Sequence, residues 1–131
     1  MPENLAREDD ASILDQDRLF RRVSVNQVRW ENGSPRPTSA VFKTTELSVN
    51  IESLLIAQSR EPKDSLKNHP AEFLTAIVAG AVRCHGHPIV KDVDPPNDPA
   101  HGLVLGKKRE GFANAMVRTH QWIVAPGPEA L

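Results

Sequence analysis

Eleven prolines in 131 residues cut this chain into short pieces. A proline lacks the backbone N–H and fixes φ, so neither a long helix nor a central strand runs through one. Pro35, Pro37, Pro70, Pro88 and the run Asp94-Pro95-Pro96-Asn97-Asp98-Pro99 therefore predict a loop-rich architecture of short elements. The 94–99 run reads as a rigid, partly polyproline loop that presents side chains rather than burying them. At this length one core forms, because two would each be too small to stand alone.

Between the prolines, periodicity assigns the elements. Residues 19–25 read as a strand with Leu19, Arg21, Val23 and Val25 on one face. Asn32-Gly33 signals a tight turn, and Pro35 and Pro37 are expected to forbid regular pairing after it. Residues 40–43 suggest a short strand. Leu47, Val49 and Ile51 alternate with Ser48 and Asn50 as a half-buried strand, after which Asn50 caps a short helix through Ala57 with Glu52 in its first turn. The clearest signal is a helix over 70–84. Its marks are His69 at the cap, Pro70 at the first position, Glu72 as the capping-box acid, and Gly86 and Pro88 as the stop. Phe73, Leu74, Ile77, Val78 and Ala81 would form its apolar face. Residues 89–93 and 101–105 read as strands, Lys107 to Thr119 as a second helix, and 121–125 as a last short strand. This order predicts an α+β fold: a small mixed sheet with two main helices packed on one face.

Charge is uneven along the chain. Residues 1–17 carry six acids against Arg7, and the remainder is net basic by four charges. Residues 1–16 lack sustained periodicity and read as a disordered acidic leader, leaving one α+β domain over 17–131. The N-terminus has no apolar signal segment, and no run approaches the roughly 18 apolar residues of a membrane span. Cys84 is the sole cysteine, which excludes an intramolecular disulfide and suits a reducing cytoplasm. The basic excess is too small for the stripe that nucleic acid calls for, so neither nucleic acid nor membrane is expected as a partner.

The segments LFRRV, TSAVFK, ELSVNIESLL and DPPNDPAHGLVLGKK together resemble a family of small uncharacterised bacterial proteins. The resemblance spans most of 18–125. It implies a bacterial cytosolic protein encoded within a multi-gene cluster, and it implies no activity and no catalytic residue.

Three groups of residues have the chemistry to form a site. Cys84-His85-Gly86-His87 with the distant His101 offers four zinc donors, but it lacks the paired C-x₂₋₄-C or H-x₃₋₅-H knuckles of structural sites, so no metal is expected. Cys84 then reads as a small buried hydrophobe, with His85 and His87 favoured by a helix C-terminus. Gly102-Leu103-Val104-Leu105-Gly106-Lys107-Lys108 resembles a phosphate-binding loop, yet its glycines are one residue too close and no Ser or Thr follows the lysines. If a helix starts at Lys107, its free amides with Lys107, Lys108 and Arg109 make an anion site. The set Arg21, Arg22, Ser39, Lys43 and His101 resembles the dinucleotide-holding residues of ADP-ribosyltransferase-like folds. No catalytic Glu accompanies it, since Glu110 lies on a helix and Glu129 in the tail. No G-x-S-x-G elbow is present either.

Without a convergent catalytic set, the expected function is a non-enzymatic binding or accessory module of a bacterial multi-protein system. Its partner would be another protein of that system, and no cofactor is expected. The alternative is a small enzyme or a nucleotide- or phosphate-binding domain using the Gly106-Lys107-Lys108 helix start and His101. The candidate binding residues are His101, Gly106, Lys107, Lys108, Arg22 and Lys43.

Overall fold

The computed structural model describes residues 8–93 and 97–127. Strand β1 (Arg18–Val23) sends Leu19 and Val23 to one face and Phe20 and Arg22 to the other. A ribbon of β2 (Val28–Glu31) and β3 (Ser34–Pro37) follows, then β4 (Glu46–Ile51) and helix α1 (Glu52–Ala57). Next come β5 (Phe73–Val78), α2 (Ala79–Cys84), β6 (Ile89–Lys91), β7 (His101–Leu105), α3 (Glu110–Thr119) and β8 (Gln121–Val124). The main sheet runs β6-β7-β4-β1-β5-β8. The expected α+β class is the class adopted. All five ladders of the main sheet are antiparallel.

One face of this sheet is fully packed. Leu19, Val23, Leu47, Ile51, Ile77, Ile89 and Val104 meet Ala79 and Val82 of α2 and Phe112, Ala113 and Met116 of α3. Val41 and Phe42, on a 3-10 turn over Ser39–Phe42 where a strand was expected, close the same core. Gly102 admits Ile51 here: a Cβ on it would stand 2.6 Å from Ile51 Cδ1 and 2.8 Å from the Val90 carbonyl oxygen. The opposite face has a smaller cluster of Phe20, Leu55, Leu74, Ala76 and Ala100, and the rest of that face is uncovered.

The structure corrects four further expectations. Residues 70–84 are not one helix but β5 followed by the short α2. β5 lies between β1 and β8 and is buried on both faces, so its apolar run has no period-2 gap to separate it from a buried helix. His69 to Glu72 form a turn, closed by the Glu72 N–H on the His69 carbonyl. Pro35 and Pro37 do pair, opposite Trp30 and Val28. They lie two residues apart, so alternation away from the Asn32-Gly33 turn puts both in pairs that exchange no N–H···O bond. Asn32 and Gly33 take φ of 52° and 78°, as a type I′ turn requires. α3 begins at Glu110 rather than Lys107, with Arg109 as its N-cap.

The fourth correction concerns the leader. Residues 1–7 lie outside the described residues, but 8–16 pack on the domain. Ile13 is 1% exposed within the main core. Arg83 of α2 donates to Asp9 Oδ1 at 3.0 Å, Asp15 Oδ1 at 2.8 Å and the Asp10 carbonyl at 2.9 Å. Asp9 and Asp10 also bond the N–H and carbonyl of Ile89, closing part of the β6 edge. Asp9, Asp10 and Asp15, read as part of a solvated tail, therefore hold one arginine and one strand edge.

Candidate functional site

Strand register builds a polar floor on the uncovered face. Asn50 stands opposite both Phe20 on β1 and His101 on β7, and Ser48 stands opposite Leu103. Arg22 lies on the same face of β1, opposite Leu74. Two segments wall this floor: residues 60–69, which include a 3-10 turn over Pro62–Leu66, and the 97–99 part of the proline loop. They enclose a cleft of about 1560 Å³. Its lining is mostly charged or amide-bearing, and of its apolar members Phe20 and Leu66 belong to the small cluster on this face.

The loop end of the cleft is internally satisfied. Asp98 accepts from Arg60 at 2.8 Å, the Ala100 N–H at 2.9 Å and the Asn50 amide at 3.1 Å. Burial pushes its carboxyl up, but these bonds and the Arg60 charge together hold it below the ordinary value. His101 Nδ1 lies 2.7 Å from the Asp92 carbonyl oxygen and 3.5 Å from Asp92 Oδ2. A carbonyl only accepts, so Nδ1 carries the proton and Nε2 is the acceptor of the neutral ring. Asp92 and Asp98 thus fix an imidazole and a guanidinium at one end of the floor.

The β1 end differs. Arg22 reaches Glu72 only at 3.5 Å, with both side chains substantially exposed. Lys67 makes no ion pair among the described residues, and neither Ser48 nor Asn68 makes a side-chain hydrogen bond there. In the wall, Ser65 is 7% exposed and its hydroxyl has no partner among the described residues.

The expected binding set divides among three places. Arg22 and His101 line the cleft. Lys43 lies elsewhere, paired with Glu110 at the start of α3. Gly106, Lys107 and Lys108 occupy the turn between β7 and α3. Gly106 has φ of 100°. Lys107 lines a small pocket of about 390 Å³ with His85, His87, Arg109 and Phe112. Lys108 turns inward and donates to four carbonyl oxygens: Gly106 at 2.6 Å, Val104 and Thr45 at 2.8 Å, and Thr44 at 3.0 Å. Burial lowers its pKa to about 8, with Glu46 acting in the opposite sense. Since α3 starts three residues later and the Lys108 charge is consumed by backbone dipoles, the helix-start anion site expected from the sequence is not assembled.

Among the described residues no group of three or more His, Cys, Asp and Glu is placed to hold a metal ion. His85 and His87 instead pack edge-on against Phe112, at 5.5 and 4.6 Å between ring centroids. Cys84 is exposed rather than buried, because it falls in the last turn of a short helix. Reading the sequence missed Asn50, Arg60, Lys67, Asn68 and Asp98. Only Asp98, in the presenting loop, carried any local signal. Comparison with protein-family models, curated proteins and solved structures finds no match to the chain. No helix of the described residues is long and apolar enough to cross a membrane.

Proposed function

We propose that the protein is a non-enzymatic binding module that receives a polar segment of a partner protein in the cleft over the uncovered face of its sheet. The observation that carries this is the contrast between the two faces. One is closed by α2 and α3, while the other leaves hydrogen-bonding side chains uncovered in a wide trough. A pocket for a small ligand is typically about 300–1,000 Å³ and mostly apolar; this cleft is larger and polar, which suits a chain segment better. The bacterial, cytoplasmic multi-protein setting implied by the resemblance belongs to the same proposal.

Panning a random peptide library on the full chain tests it. Enriched peptides are expected to lose binding to Ser48→Trp, which fills the floor, and to keep it with Lys107→Glu, which lines the separate small pocket beside Phe112. Enrichment that ignores Ser48→Trp would count against the cleft.

A second reading, a small enzyme, has one observation in its favour: the Asp92-oriented His101 has the tautomer of a general base. The phosphate-loop version of that reading loses support, because Gly106 lies five residues along from His101, roughly 17 Å of strand. His101→Gln separates the readings. It should leave peptide affinity within about twofold if His101 only supports the floor, and abolish turnover of any substrate found.

A further inference from the structure

We infer that the β1 end of the cleft seats an oxyanion of the bound segment, a carboxylate or a phosphoryl group held by Arg22, Lys67, Asn68 and Ser48. This rests on the binding reading above and adds the chemistry of what is bound.

The acids of the cleft are already engaged. Asp98 is taken by Arg60 and Asn50, Asp92 faces His101, Asp64 accepts the Glu61 N–H in its own turn, and Glu46 stands within reach of the Lys108 charge. The cations at the β1 end are not matched in the same way. The Arg21 guanidinium, beside Arg22 in sequence, donates to the Val41 and Ser48 carbonyls and has no carboxylate at ion-pair distance among the described residues. Arg22 shares Glu72 with His69, at 3.5 and 3.8 Å. Lys67 has no counter-ion among the described residues. Arg21, Arg22 and Lys67 outnumber the carboxylates at this end, Glu72 and the Glu46 that also faces Lys108, and leave a local positive excess.

Donors suited to an oxyanion stand uncommitted beside that charge: the Ser48 hydroxyl and the Asn68 amide. The unpartnered, buried Ser65 hydroxyl is a third polar group without a mate in the same wall. A buried polar group left unmatched is rare in folded proteins, so the Ser65 hydroxyl, in the wall that also carries Lys67 and Asn68, points to a ligand at this end of the cleft. Charged hydrogen bonds from Arg and Lys to an oxyanion are the strongest available to such a set.

The test is a ¹⁵N NMR titration of the full chain with three peptides: hexaglutamate, a neutral hexapeptide carrying one phosphoserine, and hexalysine. Saturable shifts are expected at the Ser48, Lys67 and Asn68 amides with the first or second and not with the third. Whichever of the two has the tighter midpoint identifies carboxylate or phosphoryl as the source. Lys67→Glu, an exposed side chain with no protein hydrogen bond, should keep the parent's spectrum and weaken binding by about tenfold or more, less at high salt. No response to either anionic peptide, an equal response to hexalysine, or unchanged affinity in Lys67→Glu overturns the seat. If the anionic peptides fail while panned peptides still depend on Ser48, the seat falls and the binding module stands.

Discussion

An ammonium has three protons, and Lys108 offers them to four carbonyl oxygens at the junction of β7, α3 and the strand entering from Thr44 and Thr45. Replacing it with methionine keeps the apolar stem and strips the partners from those carbonyls, so Lys108→Met should cost roughly 2–4 kcal/mol in urea unfolding. The pH dependence follows from the folded pKa of about 8 against an ordinary value of 10.5. Between these the unfolded chain binds more protons, so the parent gains stability with rising pH across that window and the variant lacks that gain. Parallel curves for the two from pH 7.5 to 10.5 would contradict this. His120 acts at lower pH. Burial, with Arg36 nearby, lowers its pKa while its Nδ1 lies 2.7 Å from Thr75 Oγ1. Its contribution is present above pH 6.5 and lost as the pH falls below it. The drop in melting temperature from pH 7 to 5 should therefore be smaller in His120→Asn than in the parent.

At the scale of elements, the docked strap over residues 8–16 has the plainest consequence. Ile13→Ala should cost about 2–4 kcal/mol, as for other buried large-to-small changes. A chain starting at residue 17 also loses the Arg83 hydrogen bonds and should melt roughly 10 °C or more below the parent. A loss under about 3 °C would mean that the strap is not docked in solution. The strap also shows which parts of the structure the sequence made legible. Strand β4 alternates Leu47, Val49 and Ile51 with Ser48 and Asn50, and the Asn32-Gly33 turn needs only its own two residues. Ile13 is a single apolar residue among acids, so its burial depends on Arg83 and Ile89, more than 60 positions away. β5 failed for another reason: a strand covered on both sides carries the apolar run of a helix. The proline arithmetic at 35 and 37 becomes readable only once the turn register is known.

For the whole molecule, the α+β class followed from element order, but the site did not. Arg22 and His101 were visible as isolated polar residues in strands. What joins them is the register that puts Asn50 between Phe20 and His101, together with the arrival of residues 60–69 over the same face. No local pattern encodes that convergence, and the lysines that did form a pattern, Lys107 and Lys108, belong to a turn that stabilises the fold. The account's central claim is that the uncovered face, and not this turn, is where a partner binds. Amide hydrogen exchange of the full chain, with and without a panned peptide at saturation, measures this most directly. Added protection is expected in 46–50, 60–69 and 97–103, with no change in 79–87 or 107–119. Protection confined to 107–119 or 79–87 would contradict it.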